Sequence, residues 1–314
     1  MGLKEQLIKF FERNRDQAFS GTVLANKFGV SRSAIWKAIH ALETDGYQFA
    51  TGNDYTFLGC NDIISKEGIE SYCGNKEGLN VFKEVTSTNL IAKGLIGQNV
   101  KEAIIIANEQ SLGRGRLGRS FYSPANTGLY TSFLFKANEE EGAFVTIRTV
   151  VAVCKALENF VDKPLDIKWV NDIFYHQKKV VGILCEMSTD LESGEAQYIV
   201  AGIGINIKEA NFPDDIKDVA GSLDIKESRN KVAAYLIECF DEVMNQWTKE
   251  HVLEFYRKRM LLIDKKVSYK KNNISYQGIV KGINDEGAII IEDQDGLHYL
   301  NSGEVSIGSG EIFK

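Results

Sequence analysis

The sequence of 314 residues predicts an α+β protein built of three parts. The first sixty residues combine helical periodicity with a short two-stranded pattern. The middle of the chain, from about residue 63 to residue 263, alternates continuous apolar runs with helical stretches, as in an α/β core. The remaining residues, from 264 onward, show only short strands separated by turns. A chain of this length ordinarily forms two or three domains, which agrees with the three patterns.

The composition excludes several classes of protein. With 44% hydrophobic and 25% charged residues, the chain is neither mostly disordered nor a disulfide mini-protein. Its 37 basic and 43 acidic residues give a net charge of −6, which argues against a protein that coats nucleic acid but allows a small DNA-binding module. No apolar segment reaches the roughly 18–20 residues of a membrane span. Five widely spaced cysteines predict reduced thiols in the cytoplasm, and four scattered histidines argue against a zinc site.

The N-terminal part, residues 1–62, predicts a first helix, then two helices joined by a tight turn, and then a β-hairpin. Ser20 and Ser31 are placed to cap the two helices, and Gly29 stands where the turn between them would need it. The segment YQFATGNDYTFLG, residues 47–59, has the pattern of two short strands around a Gly-Asn-Asp turn. These elements together are typical of a winged helix-turn-helix.

The charge pattern of this part points to DNA. No acidic residue lies between Asp16 and Glu43, whereas three basic residues do. A face of one sign suits phosphate contact, because lysine and arginine displace the counterions condensed on DNA. The alternative is a helical domain used for packing or dimerisation. The residues predicted to contact DNA are Ser31, Arg32, Ser33, Trp36 and Lys37.

The central part predicts buried strands with intervening helices, whereas the C-terminal part predicts short strands only. Continuous apolar runs predict buried strands at residues 103–108, 128–135, 180–187 and 198–207. Helical stretches intervene at residues 87–95, 143–160 and 231–247. Glycines and charged residues concentrate at the strand ends, as they do in enzymes. The short strands of residues 264–314 predict a small β-barrel of the SH3-like type.

The most informative segment is NEQSLGRGRLGRSFYSP, residues 108–124, which we call the glycine–arginine loop. Its glycines match G-x-G-x-x-G, but no helix opens at the last of them, so the loop lacks the context of a dinucleotide-binding fingerprint. Glycine lets the backbone fold closely over a ligand, and arginine supplies planar charged groups that match phosphate oxygens. The loop is therefore predicted to cover a nucleotide phosphate or an acyl phosphate. An arginine–glycine nucleic-acid tail is the weaker alternative, since the segment lies inside a folded core.

Five motifs in one order resemble those of the bifunctional biotin protein ligases, which also repress the biotin operon. GRGRLGR resembles the biotin-binding loop of that family, and TSTN (86–89) resembles its serine–threonine–asparagine box. IKWVND (167–172) resembles its Lys-Trp-Pro-Asn-Asp signature, with Val170 in place of the usual proline. KKVVGILCEM (178–187) and GIGINI (202–207) resemble its next two blocks. Order and spacing agree over essentially the whole chain.

The resemblance implies a DNA-binding domain at 1–62, a biotin/lipoate ligase-type catalytic domain with a mixed sheet at 63–263 and an SH3-like domain at 264–314. It implies a two-step reaction, in which the carboxylate of biotin attacks the α-phosphate of ATP and the resulting biotinyl-5′-AMP is attacked by a lysine of biotin carboxyl carrier protein. The implied metal is Mg²⁺, with Asp172 as a ligand. An adenylate-bound homodimer is implied to bind operator DNA and repress the biotin genes.

The resemblance also implies roles for individual residues. Adenylation brings a carboxylate against a triphosphate, so positive charge must be supplied at the site. The expected catalytic residues are Lys179, Arg114, Arg116, Lys168 and Asp172. The expected biotin-binding residues are Ser87, Thr88, Asn89, Gln110, Arg114, Gly115, Arg116 and Lys179. The expected adenylate-binding residues are Arg116, Asn171, Gly204, Asn206 and Ser222.

Structural interpretations compete with these roles. The Ser-Thr-Asn box alone is typical of a helix N-cap, and a lysine and an aspartate four residues apart are typical of a surface ion pair. For the whole protein three alternatives stay open. They are a ligase without DNA binding, a ligand-sensing transcription factor without catalysis, and a lipoate–protein ligase.

Overall fold

The computed structural model describes residues 1–52, 54–98, 100–137, 144–189, 196–271, 274–301 and 305–307. Within these ranges the strands form sheets of three, seven and five strands, one in each predicted part of the chain. The predicted three-part α+β organisation is confirmed. None of the described helices combines the length and the apolar character needed to cross a bilayer.

The N-terminal unit has the elements of a winged helix-turn-helix. They are α1 (Leu3–Arg13), β1 (Ala18–Ser20), α2 (Gly21–Phe28), α3 (Arg32–Thr44), β2 (Phe49–Thr51) and β3 (Asp54–Phe57). The Ser20 and Ser31 side chains accept from the backbone N–H groups of Val23 and Ala34 at 3.2 Å, so both predicted caps are confirmed. Gly29 ends α2 in the left-handed conformation at φ 66°, which glycine adopts without a steric penalty.

The central part is a seven-stranded mixed sheet with helices packed on it. Its elements are α4 (Lys66–Cys73), β4 (Leu79–Phe82), α5 (Thr88–Gly94), β5 (Ala103–Ala107), β6 (Gly128–Lys136), α6 (Phe144–Leu157), β7 (Asp166–Lys168), β8 (Asp172–Tyr175), β9 (Lys178–Thr189), β10 (Ala196–Asn206), α7 (Arg229–Asn245) and α8 (Lys249–Arg257). The strand order is β4-β5-β6-β10-β9-β8-β7. Among the described strand pairs of this sheet, β4–β5 is parallel and the others are antiparallel.

The two faces of this sheet are covered differently. Helices α6, α7 and α8 pack together over one face, and their apolar side chains form the main core with the strand residues that point to them. The opposite face carries α5, which contacts β5, β6 and β10. The rest of that face lies beneath the glycine–arginine loop. An open half-face of this kind is where a sheet can hold a ligand.

The C-terminal part is a five-stranded antiparallel sheet, as the pattern of short strands predicts. Its strands are β11 (Lys266–Lys271), β12 (Ile274–Ile283), β13 (Ile289–Asp293), β14 (Gly296–Leu300) and β15 (Val305–Ile307). The sequence predicts a turn at Asn272-Asn273, but these two residues and the chain after residue 307 lie outside the described residues. The indole N–H of Trp169 donates to the carbonyl of Gly287 at 3.0 Å, which ties this sheet to the IKWVND motif.

The start of α7 joins the N-terminal unit to the central part. The Ser228 hydroxyl donates to the buried carboxylate of Glu12 in α1 at 2.6 Å. The fully buried Arg229 pairs with Asp62 at 2.8 Å and donates to the carbonyl of Gly128, the first residue of β6. One helix start therefore contacts α1, the segment after the hairpin and the strand that follows the glycine–arginine loop.

Candidate functional site

A cavity lies on the open half-face of the seven-stranded sheet, between the start of α5, the glycine–arginine loop and the ends of β7, β8 and β9. Its volume is about 150 Å³, whereas one water needs on the order of 10–15 Å³, so the cavity suits a small organic molecule. Twelve of the predicted site residues line it. They are Ser87, Thr88, Asn89, Gln110, Arg114, Gly115, Arg116, Lys168, Asn171, Asp172, Lys179 and Gly204.

The start of α5 forms a polar wall of the cavity. Ser87 occupies the N-cap position, but its hydroxyl makes no capping hydrogen bond; it is 2% exposed and lies at the cavity. The backbone N–H of Thr88 donates to Gln110 Oε1 at 2.8 Å, and Gln110 Nε2 donates to Ser123 Oγ at 2.9 Å. These bonds hold the Gln110 amide in one orientation. Hydroxyl and amide groups of this kind can match a ligand that carries both donors and acceptors.

The glycine–arginine loop folds back on itself beside this wall. Gly115 donates to the carbonyl of Arg119 at 2.7 Å, and Phe121 donates to the carbonyl of Gly113 at 2.9 Å. The turn places a guanidinium N–H of Arg116 at 3.1 Å from the side-chain oxygen of Asn171, at the end of the IKWVND motif. Burial lowers the pKa of Arg116, although the charge of Asp172 opposes that effect. The guanidinium keeps its charge, because its normal pKa lies far above neutrality.

Charged side chains from β7, β8 and β9 form the other wall. Lys168 stands opposite Asp172 across the β7–β8 pair, and Lys179 Nζ lies 2.7 Å from Asp172 Oδ1. Lys168 is only 5% exposed, and burial lowers its pKa to about 8; the charge of Asp172 raises it, and those of Lys179 and Arg119 lower it. Lys168 and Asp172 therefore do not form an exposed surface pair. The wall carries more positive than negative charge and attracts anions.

We did not predict from the sequence that the ring of Phe121 lines the cavity. Gly182 in β9 and Gly204 in β10 stand opposite each other, and a Cβ added to either would meet the ring of Phe121. Two paired glycines thus leave a slot in the sheet that this ring fills. The available signal was a glycine inside each of two β-branched strands, a pattern that often marks close approach of another group.

Two predicted residues lie beside the cavity and do not line it. The side-chain amide of Asn206 donates to the carbonyl of Gly221 at 2.9 Å, and Gly221 donates to the carbonyl of Lys179 at 2.9 Å. Asn206 therefore fastens the segment that contains Ser222 against β9, next to Lys179. The adenylate contacts of Asn206 and Ser222 stay a prediction.

The residues predicted to contact DNA share one exposed face of α3. Ser31, Arg32, Ser33, Trp36 and Lys37 are all exposed, whereas Ile35, Ile39 and Leu42 of the same helix are buried. Trp36 is 57% exposed and stacks on the ring of His40 with centroids 5.4 Å apart. The arrangement offers phosphate-binding and apolar groups on one surface.

Comparison with protein families and with known proteins agrees with this organisation. Residues 81–206 match the biotin/lipoate A/B protein ligase family, residues 4–53 match an HTH domain, and residues 263–308 match the biotin protein ligase C-terminal domain. The bifunctional ligase/repressor BirA of Bacillus subtilis (strain 168) is 28% identical over 327 aligned positions, covering 98% of this chain and 99% of that protein. The chain belongs to the biotin protein ligase family.

The chain is also similar to a second bifunctional protein and to a solved ligase structure. BirA of Escherichia coli (strain K12) is 27% identical, with 93% of this chain and 94% of that protein covered. The structure of biotin protein ligase from Aquifex aeolicus in complex with biotin and ATP is 29% identical, has a TM-score of 0.63 and covers 74% of this chain and 99% of that one. The family therefore includes both relatives with a repressor function in their names and a ligase whose structure is a complex with biotin and ATP.

Proposed function

We propose that this protein attaches biotin to a lysine of biotin carboxyl carrier protein at the expense of ATP, through biotinyl-5′-AMP, and that it represses the biotin genes when it carries that adenylate. The observation that carries the proposal is that residues of all five motifs line one cavity, with a polar wall on one side and cationic side chains on the other. The names of the bifunctional relatives over nearly the full length support both activities.

In the first step the carboxylate of biotin attacks the α-phosphorus of ATP, a P–O bond forms, and pyrophosphate leaves. We assign the donors and acceptors of the biotin head group to Ser87, Thr88 and Gln110, which line the polar wall. Lys179 lies beside Asp172 at the opposite wall, where its ammonium can neutralise both the biotin carboxylate and the phosphate. Arg114 and Arg116, on the loop, supply further positive charge as the two anions approach.

In the second step the amine of a carrier lysine attacks the acyl carbon of the adenylate, an amide bond forms, and AMP leaves. The amine must be neutral to attack, so a group beside the adenylate has to take its proton or favour its neutral form. We assign that role to Asp172, which lines the cavity. We assign to Lys168, which also lines the cavity, the neutralisation of the charge on the departing phosphate.

ATP ordinarily arrives with Mg²⁺, which needs only one or two protein carboxylates because substrate phosphates supply other ligands. Within the described part of the chain no cluster of three or more potential metal ligands occurs, and Asp172 is the carboxylate that lines the cavity. This donor set fits a metal held mainly by nucleotide. We propose Asp172 as the protein ligand, and the metal would neutralise phosphate charge.

The proposed organisation assigns DNA binding to residues 1–62, the ligase reaction to residues 63–263 and an accessory β domain to residues 264–314. Contacts to adenylate are assigned to Asn171, Gly204, Asn206 and Ser222. A homodimer of the adenylate-bound protein would place two copies of α3 on two operator half-sites. The protein would act in the cytoplasm, where its carrier protein and DNA are found.

The ligase proposal is tested by ATP-dependent labelling of a carrier domain with biotin, with pyrophosphate release measured in parallel. Wild-type protein should release pyrophosphate with biotin plus ATP and not with lipoate plus ATP. Lys179→Ala should reduce this release by roughly 10²-fold or more, as loss of a charge-stabilising group typically does. Absence of biotin-dependent pyrophosphate release by the wild-type protein would rule out the ligase function.

The repressor proposal has its own test. A gel shift with the DNA upstream of the organism's biotin genes should show retarded DNA only when biotin and ATP are both present. Replacing Lys37 with alanine should weaken binding to all DNA sequences and reduce its salt dependence, because a phosphate contact is lost. A protein that labels the carrier but never retards DNA would be a ligase only.

A further inference from the structure

A polar network lies behind the wall that α5 contributes to the cavity. Asn89, 4% exposed, packs over the backbone of Gly202, where an added Cβ would meet its side chain. Its Nδ2 donates to Glu186 Oε2 at 2.8 Å and to the carbonyl of Leu184 at 3.3 Å. Its Oδ1 accepts from the hydroxyl of Ser132 at 2.6 Å. Both ends of this amide are therefore engaged within the protein.

Ser132 connects this amide to the cavity. Ser132 Oγ lies 2.7 Å from Thr88 Oγ1, and Thr88 Oγ1 lies 3.1 Å from Gln110 Oε1. A serine hydroxyl has one proton, so it cannot donate fully to Asn89 and Thr88 at once. While the amide oxygen of Asn89 faces Ser132, that oxygen takes the proton. If the amide turned over, its NH₂ group would face Ser132, and the proton would turn towards Thr88.

The orientation of one buried amide therefore sets the direction of the hydrogen bonds that reach the cavity wall. Glu186 holds that orientation. Its carboxylate and the carbonyl of Leu184 can only accept, so the NH₂ group of Asn89 must face them. The second carboxylate oxygen of Glu186 accepts from Lys93 Nζ at 2.6 Å. Each oxygen of Glu186 thus receives one donor.

We propose that Glu186 is a positioning residue for the biotin pocket. It lies outside the cavity and acts through Asn89, whose amide it keeps in the orientation that gives the Thr88 hydroxyl one hydrogen-bond polarity. A ligand head group that carries both donors and acceptors binds only when the wall presents the matching pattern. The inference rests on the proposed ligase function and adds a residue that controls its affinity for biotin.

The variant Glu186→Gln tests the orientation directly, because it keeps the size of the side chain and changes one oxygen to a donor. The charged Lys93 makes the stronger hydrogen bond, so it takes the remaining oxygen of the new amide. The NH₂ group of that amide then faces Asn89, which turns over and gives up its longer hydrogen bond, at 3.3 Å, to the carbonyl of Leu184. The Michaelis constant for biotin should rise about tenfold, which is the effect expected when a buried polar group loses its match. The Michaelis constant for ATP and the melting temperature should not change.

The double variant separates orientation from loss of charge. Adding Lys93→Met to Glu186→Gln frees the amide oxygen to accept from Asn89, so the affinity for biotin should return to the wild-type level. Lys93→Met alone leaves Glu186 as acceptor and should bind biotin as the wild type does. Calorimetric titration with biotin alone gives the same comparison without catalysis.

Two results would overturn the proposal. One is an unchanged affinity for biotin in Glu186→Gln, and the other is a double variant that binds no better than Glu186→Gln. A wild-type protein that binds no biotin at all would instead refute the proposed ligase function, and the positioning role with it.

Discussion

Replacing Lys168 with methionine should make the protein more stable at neutral pH while it removes activity. Lys168 is 5% exposed, and its pKa is lowered from the usual 10.5 to about 8, with burial as the largest cause. A pKa difference of that size corresponds to about 3 kcal/mol of cost for keeping the ammonium charged in the folded protein. Methionine has a similar length and no charge to bury. The variant also loses the attraction between the ammonium and Asp172, which offsets part of this gain. We therefore expect Lys168→Met to raise the free energy of unfolding at pH 7 by about 1–3 kcal/mol.

The pH dependence follows from the same shift. Between pH 8 and 10.5 the folded protein has released the Lys168 proton and the unfolded chain still holds it, so stability of the wild type rises with pH in that window. The advantage of Lys168→Met should therefore be complete below pH 8 and should disappear towards pH 10.5. Melting temperatures of both proteins, measured by circular dichroism from pH 7 to 10, give the difference, at roughly 2–4 °C for each kcal/mol.

Lys163 provides a matched control, because it is exposed and lies only a few residues earlier in the chain. Lys163→Met should give a difference from the wild type that does not depend on pH. The reasoning is wrong if Lys168→Met is less stable than the wild type at pH 7, or if the gap between them stays constant up to pH 10. Pyrophosphate release by Lys168→Met should meanwhile fall by about 10²-fold, because the positive charge that stabilises the phosphate in our proposal is lost.

Three further outcomes are expected. Pyrophosphate release by the wild type should decline as pH rises through about 8, and Lys168→Arg should extend the active range upwards, because guanidinium stays charged. Gly182→Ala should raise the Michaelis constant for biotin, since its Cβ would lie 2.9 Å from the Phe121 ring; an unchanged constant would mean that the ring does not shape the pocket. Arg229→Met should lower the free energy of unfolding by about 3–5 kcal/mol in urea titrations, because Asp62 keeps only its ion pair with Lys208 and the carbonyls of Asp62 and Gly128 lose their donor; a loss below about 1 kcal/mol would refute that estimate.

For the Ser-Thr-Asn box, the start of a helix was predictable from the sequence and the contacts of its side chains were not. The pattern correctly indicates that a helix begins after Ser87, because capping preferences act between neighbouring residues. It does not indicate that the Ser87 hydroxyl leaves the cap and lies at the cavity, or that the Asn89 amide is held by Glu186, almost a hundred residues away. Those contacts depend on which strand lies beside the helix.

The glycine–arginine loop was also predictable only in part. Its composition predicts contact with an anion, and the structure places Arg114 and Arg116 at a cavity with excess positive charge. The role of Phe121 was not predictable, because the ring meets Gly182 and Gly204 only after β9 and β10 pair.

The order of the motifs, the capped helices at Ser20 and Ser31 and the change from helix-rich to strand-only segments follow from the sequence alone, since each depends on residues close together in the chain. The gathering of Gln110, Asp172 and Lys179 around one cavity was decided by the fold. So was the pKa of Lys168, because the energy of a charge depends on how much water surrounds it, and burial is a property of the whole folded chain.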